Sequence, residues 1–158
     1  AVPMSLEFTE NDILTLVSDI GIYSLSKENT KLNQIISYYS SEFTCCDISN
    51  KGDYLVSLAK YGSKNVFEVN AYSSEGEKLT TISVNGEVKS SYITDKYIVI
   101  LADNQILVYN FKGKLISTIT YKGEPLSLLP TDDFIYIESL DRIYRCFTYG
   151  DSSLTLVS

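Results

Sequence analysis

Three glutamates stand in three versions of one short context: "SSEF" holds Glu42, "NGEV" holds Glu87 and "KGEP" holds Glu124. Three aspartates, Asp19, Asp103 and Asp141, fall in polar breaks between apolar runs. Repeated carboxylates can attract a cation or a basic partner, and a close pair can act as acid and base on a glycosidic bond. For such a pair the chain offers only "TDD", Thr131 to Asp133, and scattered single acids. The sequence has no His. That removes the commonest general base, the Ser-His-Asp and Cys-His arrangements, and imidazole ligation of metals. No Gly-rich phosphate loop, Walker motif or EF-hand loop is found. The residues assign no catalytic group, no metal site and no cofactor.

The thiols add little chemistry. Cys45, Cys46 and Cys146 are an odd number without framework spacing, so no disulfide pattern is read from them. Neighbours in a strand point to opposite faces, so Cys45 and Cys46 cannot share one partner. They are expected to be small buried hydrophobes, and they leave the redox compartment open.

Charge narrows the partners. Thirteen basic residues stand against 20 acidic ones, a net charge of −7. Only Lys112/Lys114 and Arg142/Arg145 approach a basic cluster, so binding to nucleic acid is disfavoured. No apolar run nears the roughly 18 residues that span a bilayer. The opening "AVPMSLEF" has neither the basic region nor the apolar core of a signal peptide, and it lacks an initiator Met. The chain is therefore read as a mature or excised segment, with no membrane insertion of its own.

The elements that must carry the acids are strands. Helical periodicity is nearly absent, and short runs rich in Ile, Val, Tyr, Thr and Leu alternate with Gly, Asp, Asn, Ser and Lys. "DILTLVSD", "DYLVSLAKY", "YIVILAD" and "DFIYIES" are four versions of one strand, followed by "GIYSLS", "NVFEVNAYS", "QILVYNF" and "RIYRCFTY". Further strands begin near Leu32, Leu79, Leu115 and Leu154, and one more run precedes each set: "VPMSLEFT", "TCCDIS", "VKSSYIT" and "PLSLLPT". Corner glycines Gly76, Gly113 and Gly150 recur every 37 residues, where a tight turn favours positive φ. The expectation is an all-β single domain of four four-stranded antiparallel blades, about 1–41, 42–86, 87–122 and 123–158. A period near 40 residues with four strands is that of a β-propeller blade; a β-sandwich or plain meander is the alternative.

Segments such as "ILVYNFKGKLISTI" and "VFEVNAYSSEGEKLTTISV" resemble the outer strands of quinoprotein-like and related bacterial propeller repeats. More narrowly, the chain is similar to uncharacterised bacterial envelope proteins that carry a propeller behind a single membrane anchor. That resemblance alone implies an extracytoplasmic location. The Gly-His and Trp-Asp signature of WD40 blades is missing, as is the tryptophan on which quinone cofactors stack, so cofactor-linked activity is not carried over. Four blades imply a small closed ring or a segment of a larger propeller.

In such blades the loops bearing Glu42, Glu87 and Glu124 and the turns bearing Asp19, Asp103 and Asp141 open on one face. Lys27, Lys31, Lys51, Lys78, Lys96, Lys112 and Lys114 fall toward the other. The expected function is non-catalytic recognition or scaffolding, with a protein or basic ligand held on the acidic face. Alternatives are a degenerate carbohydrate-active or cofactor-linked enzyme domain and a structural spacer. Self-association through open blade edges is also expected.

Overall fold

Runs in which β-branched and aromatic residues recur at every second position suit a pleated surface buried on one or both faces. A computed structural model, describing residues 1–8, 12–28, 30–60, 66–123 and 125–157, builds these runs into strands throughout. The first sheet holds β1 (Pro3–Phe8), β2 (Leu14–Ser18), β3 (Gly21–Leu25) and β4 (Asn33–Ser37). The second holds β5 (Phe43–Ile48), β6 (Tyr54–Ala59), β7 (Val66–Tyr72) and β8 (Lys78–Asn85). The third holds β9 (Val88–Ile93), β10 (Tyr97–Ala102), β11 (Gln105–Asn110) and β12 (Leu115–Thr120). The fourth holds β13 (Ser127–Pro130), β14 (Phe134–Glu138), β15 (Ile143–Phe147) and β16 (Thr155–Leu156).

Every sheet is antiparallel and its strands lie in chain order, so each is a simple meander. First strands of neighbouring sheets lie together, β1 against β5 and β5 against β9, which puts them on the inside of the array. This is the expected all-β, propeller-like arrangement of four-stranded blades. The outer corners also follow the sequence: Gly76, Gly113 and Gly150 have φ of 87°, 77° and 101°. At the "NFKGK" corner the Asn110 side chain accepts from the N–H groups of Lys112 and Lys114, each at 3.0 Å. The two lysines are exposed.

Alternation along each strand feeds two different interfaces. Val17 and Ile22 of the first sheet pack with Tyr54, Val56 and Tyr72 of the second. The opposite face of the second sheet, with Leu55, Val69 and Ala71, packs on Ile98, Ile100 and Ala102 of the third. Val99, Leu101, Ile106 and Val108 then meet Ile135, Ile137 and Cys146 of the fourth. Stacking buries what one four-stranded sheet could not cover alone. Adjacent thiols part as the pleat requires: Cys45 lies with the core between the second and third sheets, Cys46 with that between the first and second. Burial pushes the Cys46 thiol up to about 12, helped by Cys45 and Asp47, and burial pushes Cys146 to about 11.

Candidate functional site

The inner strands bring two sets of acids to their two ends. At the end where β5 and β9 begin, Glu42 and Glu87 occupy equivalent places. The Ala59 N–H donates to the Glu42 carbonyl at 2.7 Å, and the Asp103 N–H donates to the Glu87 carbonyl at 3.1 Å. In the first sheet Val2 takes this place, its carbonyl accepting from the Asp19 N–H at 3.1 Å. Asp19 and Asp103 are thus equivalent turn residues, with Ala59 between them in the series. Asp141 lies in the β14–β15 turn, exposed, its carboxylate 3.6 Å from Arg142 Nε. Glu124 lies outside the described residues.

Not all of these carboxylates are free to greet a partner. Asp19 Oδ1 accepts from the Val2 N–H at 2.6 Å. Asp103, at φ 50°, tops a two-residue hairpin and rests on Gly86, where a β carbon would stand 2.5 Å from Asp103 Oδ2. Aspartate tolerates that left-handed turn better than most residues. Glu87 is exposed and Glu42 half-buried.

The other end of the same strands holds a concavity that sequence reasoning missed. The turns after β5, β9 and β13 converge on a cavity of about 700 Å³ whose acidic lining is Asp47, Asp95, Asp132 and Asp133. Hydroxyl side chains hold these turns in shape. Thr94 Oγ1 accepts from the Tyr97 N–H at 2.9 Å, Thr131 Oγ1 from Phe134 at 2.9 Å, and Ser49 Oγ from Asp53 at 3.1 Å. Such local bonds are why Ser and Thr suit these positions. Two of the acids reach sideways to the third sheet. Asp47 Oδ2 accepts from the Ile93 N–H at 2.9 Å, and Asp132 Oδ1 from the Lys96 N–H at 3.1 Å. Burial raises the Asp47 pKa above the ordinary value; the N–H groups of Ile93 and Ile48 oppose the shift and Glu7 adds to it.

The sequence held one signal for this end, unread: "ITDKY" and "PTDDF" place Thr94-Asp95 and Thr131-Asp132 at matching turns. It also means that the lysine-bearing end is not simply basic, since Lys51 and Lys96 directly follow Asn50 and Asp95, which line an acidic hollow. The "TDD" run belongs to this hollow. Among the described residues, no three His, Cys, Asp or Glu side chains are grouped to hold a metal ion. The chemistry on offer is attraction of positive charge and hydrogen bonding by carboxylates and hydroxyls.

A sequence model described as a family of unknown function (DUF5711) matches residues 1–143. No curated protein matches the chain. Solved structures do. A chain of the mitotic checkpoint complex superposes with a TM-score of 0.69 at 12% identity, covering 96% of this chain and 49% of that one. The N-terminal domain of Nup159 gives 0.62 at 12% identity, with 98% and 47% covered. Hsv2 of Kluyveromyces lactis gives 0.60 at 12% identity, with 98% and 50% covered. These neighbours are WD40 and β-propeller-like proteins, and the likeness is one of fold. The chain spans about half the length of the solved chains it matches.

Proposed function

The chain belongs to DUF5711, a family of unknown function, and we propose that it is a non-catalytic recognition module whose ligand is a cationic segment of a partner protein. The observation that carries this reading is the 700 Å³ cavity, where turns of three sheets bring Asp47, Asp95, Asp132 and Asp133 together. A concave site with few convergent polar groups is the usual form of a binding site. Asp47 and Asp132 are tied to backbone N–H groups, so Asp95 and Asp133, both exposed, are the ones left to face a partner. The non-catalytic part of the reading rests on the chain's lack of histidine and of any motif for covalent or phosphoryl chemistry. The resemblance to envelope propellers supports an extracytoplasmic setting for this recognition.

The test is fluorescence anisotropy of a labelled Lys/Arg-rich peptide at low and high salt. The Asp95→Asn/Asp133→Asn variant should bind several-fold more weakly and lose most of the salt dependence. Unchanged binding would overturn the cavity as the site. A second reading is favoured by the equivalent placement of Glu42 and Glu87 at the opposite end. There Glu42→Gln/Glu87→Gln/Glu124→Gln should carry the loss, and the cavity variant should not.

A further inference from the structure

The third and fourth sheets part along their inner strands, and the gap leads into the acidic hollow. Between the second and third sheets the same level is closed: Val88, opposite Ala102 at the start of β9, is packed in that core and 2% exposed. Leu126 takes the corresponding place just ahead of β13, where its N–H donates to the Glu138 carbonyl at 2.8 Å, and it is 60% exposed. β9 and β13 do not press together as β5 and β9 do. Between them lies a cleft of about 230 Å³, lined by Ser90, Tyr92 and Leu101 of the third sheet and by Pro125, Leu126 and Leu128 of the fourth. Tyr92 and Leu128 also line the hollow, so the two spaces adjoin. The cleft opens between two neighbouring sheets, so it does not depend on what stands beyond either end of the stack.

The cleft is mainly apolar where the hollow is acidic. Its volume lies below the roughly 300–1,000 Å³ of sites for free small molecules, so a side chain suits it better than a separate ligand. Charge gives the occupant a direction: Asp95, Asp132 and Asp133 stand at the hollow, and Lys89 stands at the far end of the cleft. We propose that the partner segment is bipartite, with a Lys or Arg in the hollow and a large apolar residue seated in the cleft between Tyr92 and Leu126. Ser90 and Asp95 mark the two spaces along one strand direction, and at about 3.3 Å per residue their separation is spanned by about five residues of extended chain. The buried apolar anchor supplies affinity, and the charge supplies orientation and approach. The inference rests on the reading of the hollow as the site of a cationic segment.

The experiment is fluorescence anisotropy with two labelled, end-blocked peptides. One carries a short lysine run among glycine and serine; the other is identical but for one leucine about five residues from that run. The wild type should bind the leucine peptide about tenfold tighter, the low end of what burying one leucine yields. Moving the leucine beside the lysines should abolish the advantage. Leu126→Ser, a change at an exposed position that leaves the core intact, should bind the two peptides alike. Asp95→Asn/Asp133→Asn should weaken both peptides and keep the preference for leucine. Equal wild-type affinity for the two peptides would overturn the bipartite segment and leave the hollow standing. An advantage that survives Leu126→Ser, or that ignores the position of the leucine, would do the same. If neither peptide binds, or if Asp95→Asn/Asp133→Asn binds both as the wild type does, the hollow itself is rejected and the inference goes with it.

Discussion

The hydroxyl of Ser91 on β9 lies 2.7 Å from that of Ser57 on β6, joining the second and third sheets inside an otherwise apolar interface. Both side chains are buried, and Cys45 Sγ approaches Ser91 Oγ at 3.2 Å to complete a three-membered polar group. A buried hydroxyl without a partner is costly, and the group is satisfied only if the two sheets keep this register.

Ser91→Ala should therefore destabilise the fold by about 1–3 kcal/mol, because it strips the partner from Ser57. Ser57→Ala/Ser91→Ala together should cost clearly less than the sum of the two single changes, since neither orphans the other. Urea unfolding of the four proteins gives the comparison. Additive losses would mean that the two hydroxyls do not act as a pair.

Thiol reactivity is the second prediction. The thiolate is the nucleophile, and burial holds the Cys46 thiol near 12 and the Cys146 thiol near 11. Native protein treated with iodoacetamide at pH 8 should show both residues unmodified after minutes, by mass spectrometry, and all three cysteines alkylated once urea is added. Prompt labelling of Cys46 in the native state would show that its environment is open.

The third prediction concerns pH. Asp47 has a folded-state pKa above the ordinary 3.8, chiefly through burial, so the folded protein binds a proton more tightly than the unfolded chain. Its contribution favours the fold at low pH and is lost as pH rises from 3.8 through the raised value. Asp47→Asn keeps an oxygen for the Ile93 N–H and removes the ionisation. Its stability relative to wild type should improve as pH climbs through that window and level off above it. Asp47→Ala also leaves the Ile93 N–H without its acceptor, so it should be less stable than Asp47→Asn by about 1–3 kcal/mol at any pH. A wild-type minus Asp47→Asn difference that is flat from pH 3.5 to 7 would sink the assignment.

What could be read from the sequence was local. Gly76, Gly113 and Gly150 sit at turns whose positive φ only the backbone of that corner demands, so their 37-residue recurrence marked the blades. Glu42 and Glu87 recurred in the same way because each precedes an inner strand at one fixed ladder position. The hollow at the other end depends on stacking between sheets. Asp47 meets Ile93 across 46 residues of chain and Asp132 meets Lys96 across 36, a proximity that no strand periodicity encodes. The exposed Leu126 was equally hidden. A strand pattern shows that both faces of a sheet are apolar but not where two stacked sheets part.

The reach of Asp47 and Asp132 across the sheet boundaries has one more effect. β9 is paired on one side only, with β10, and its other edge offers N–H groups that could seed a strand from a foreign chain. Carboxylates from the sheets on either side occupy the Ile93 N–H and the N–H of Lys96 just beyond the strand. A carboxylate that accepts such a bond also repels the carbonyl oxygens of an incoming strand, so these two side chains act as stoppers. They blunt the strand end against templated growth, and they do so with residues from elsewhere in the chain, which means the protection exists only once the sheets have stacked.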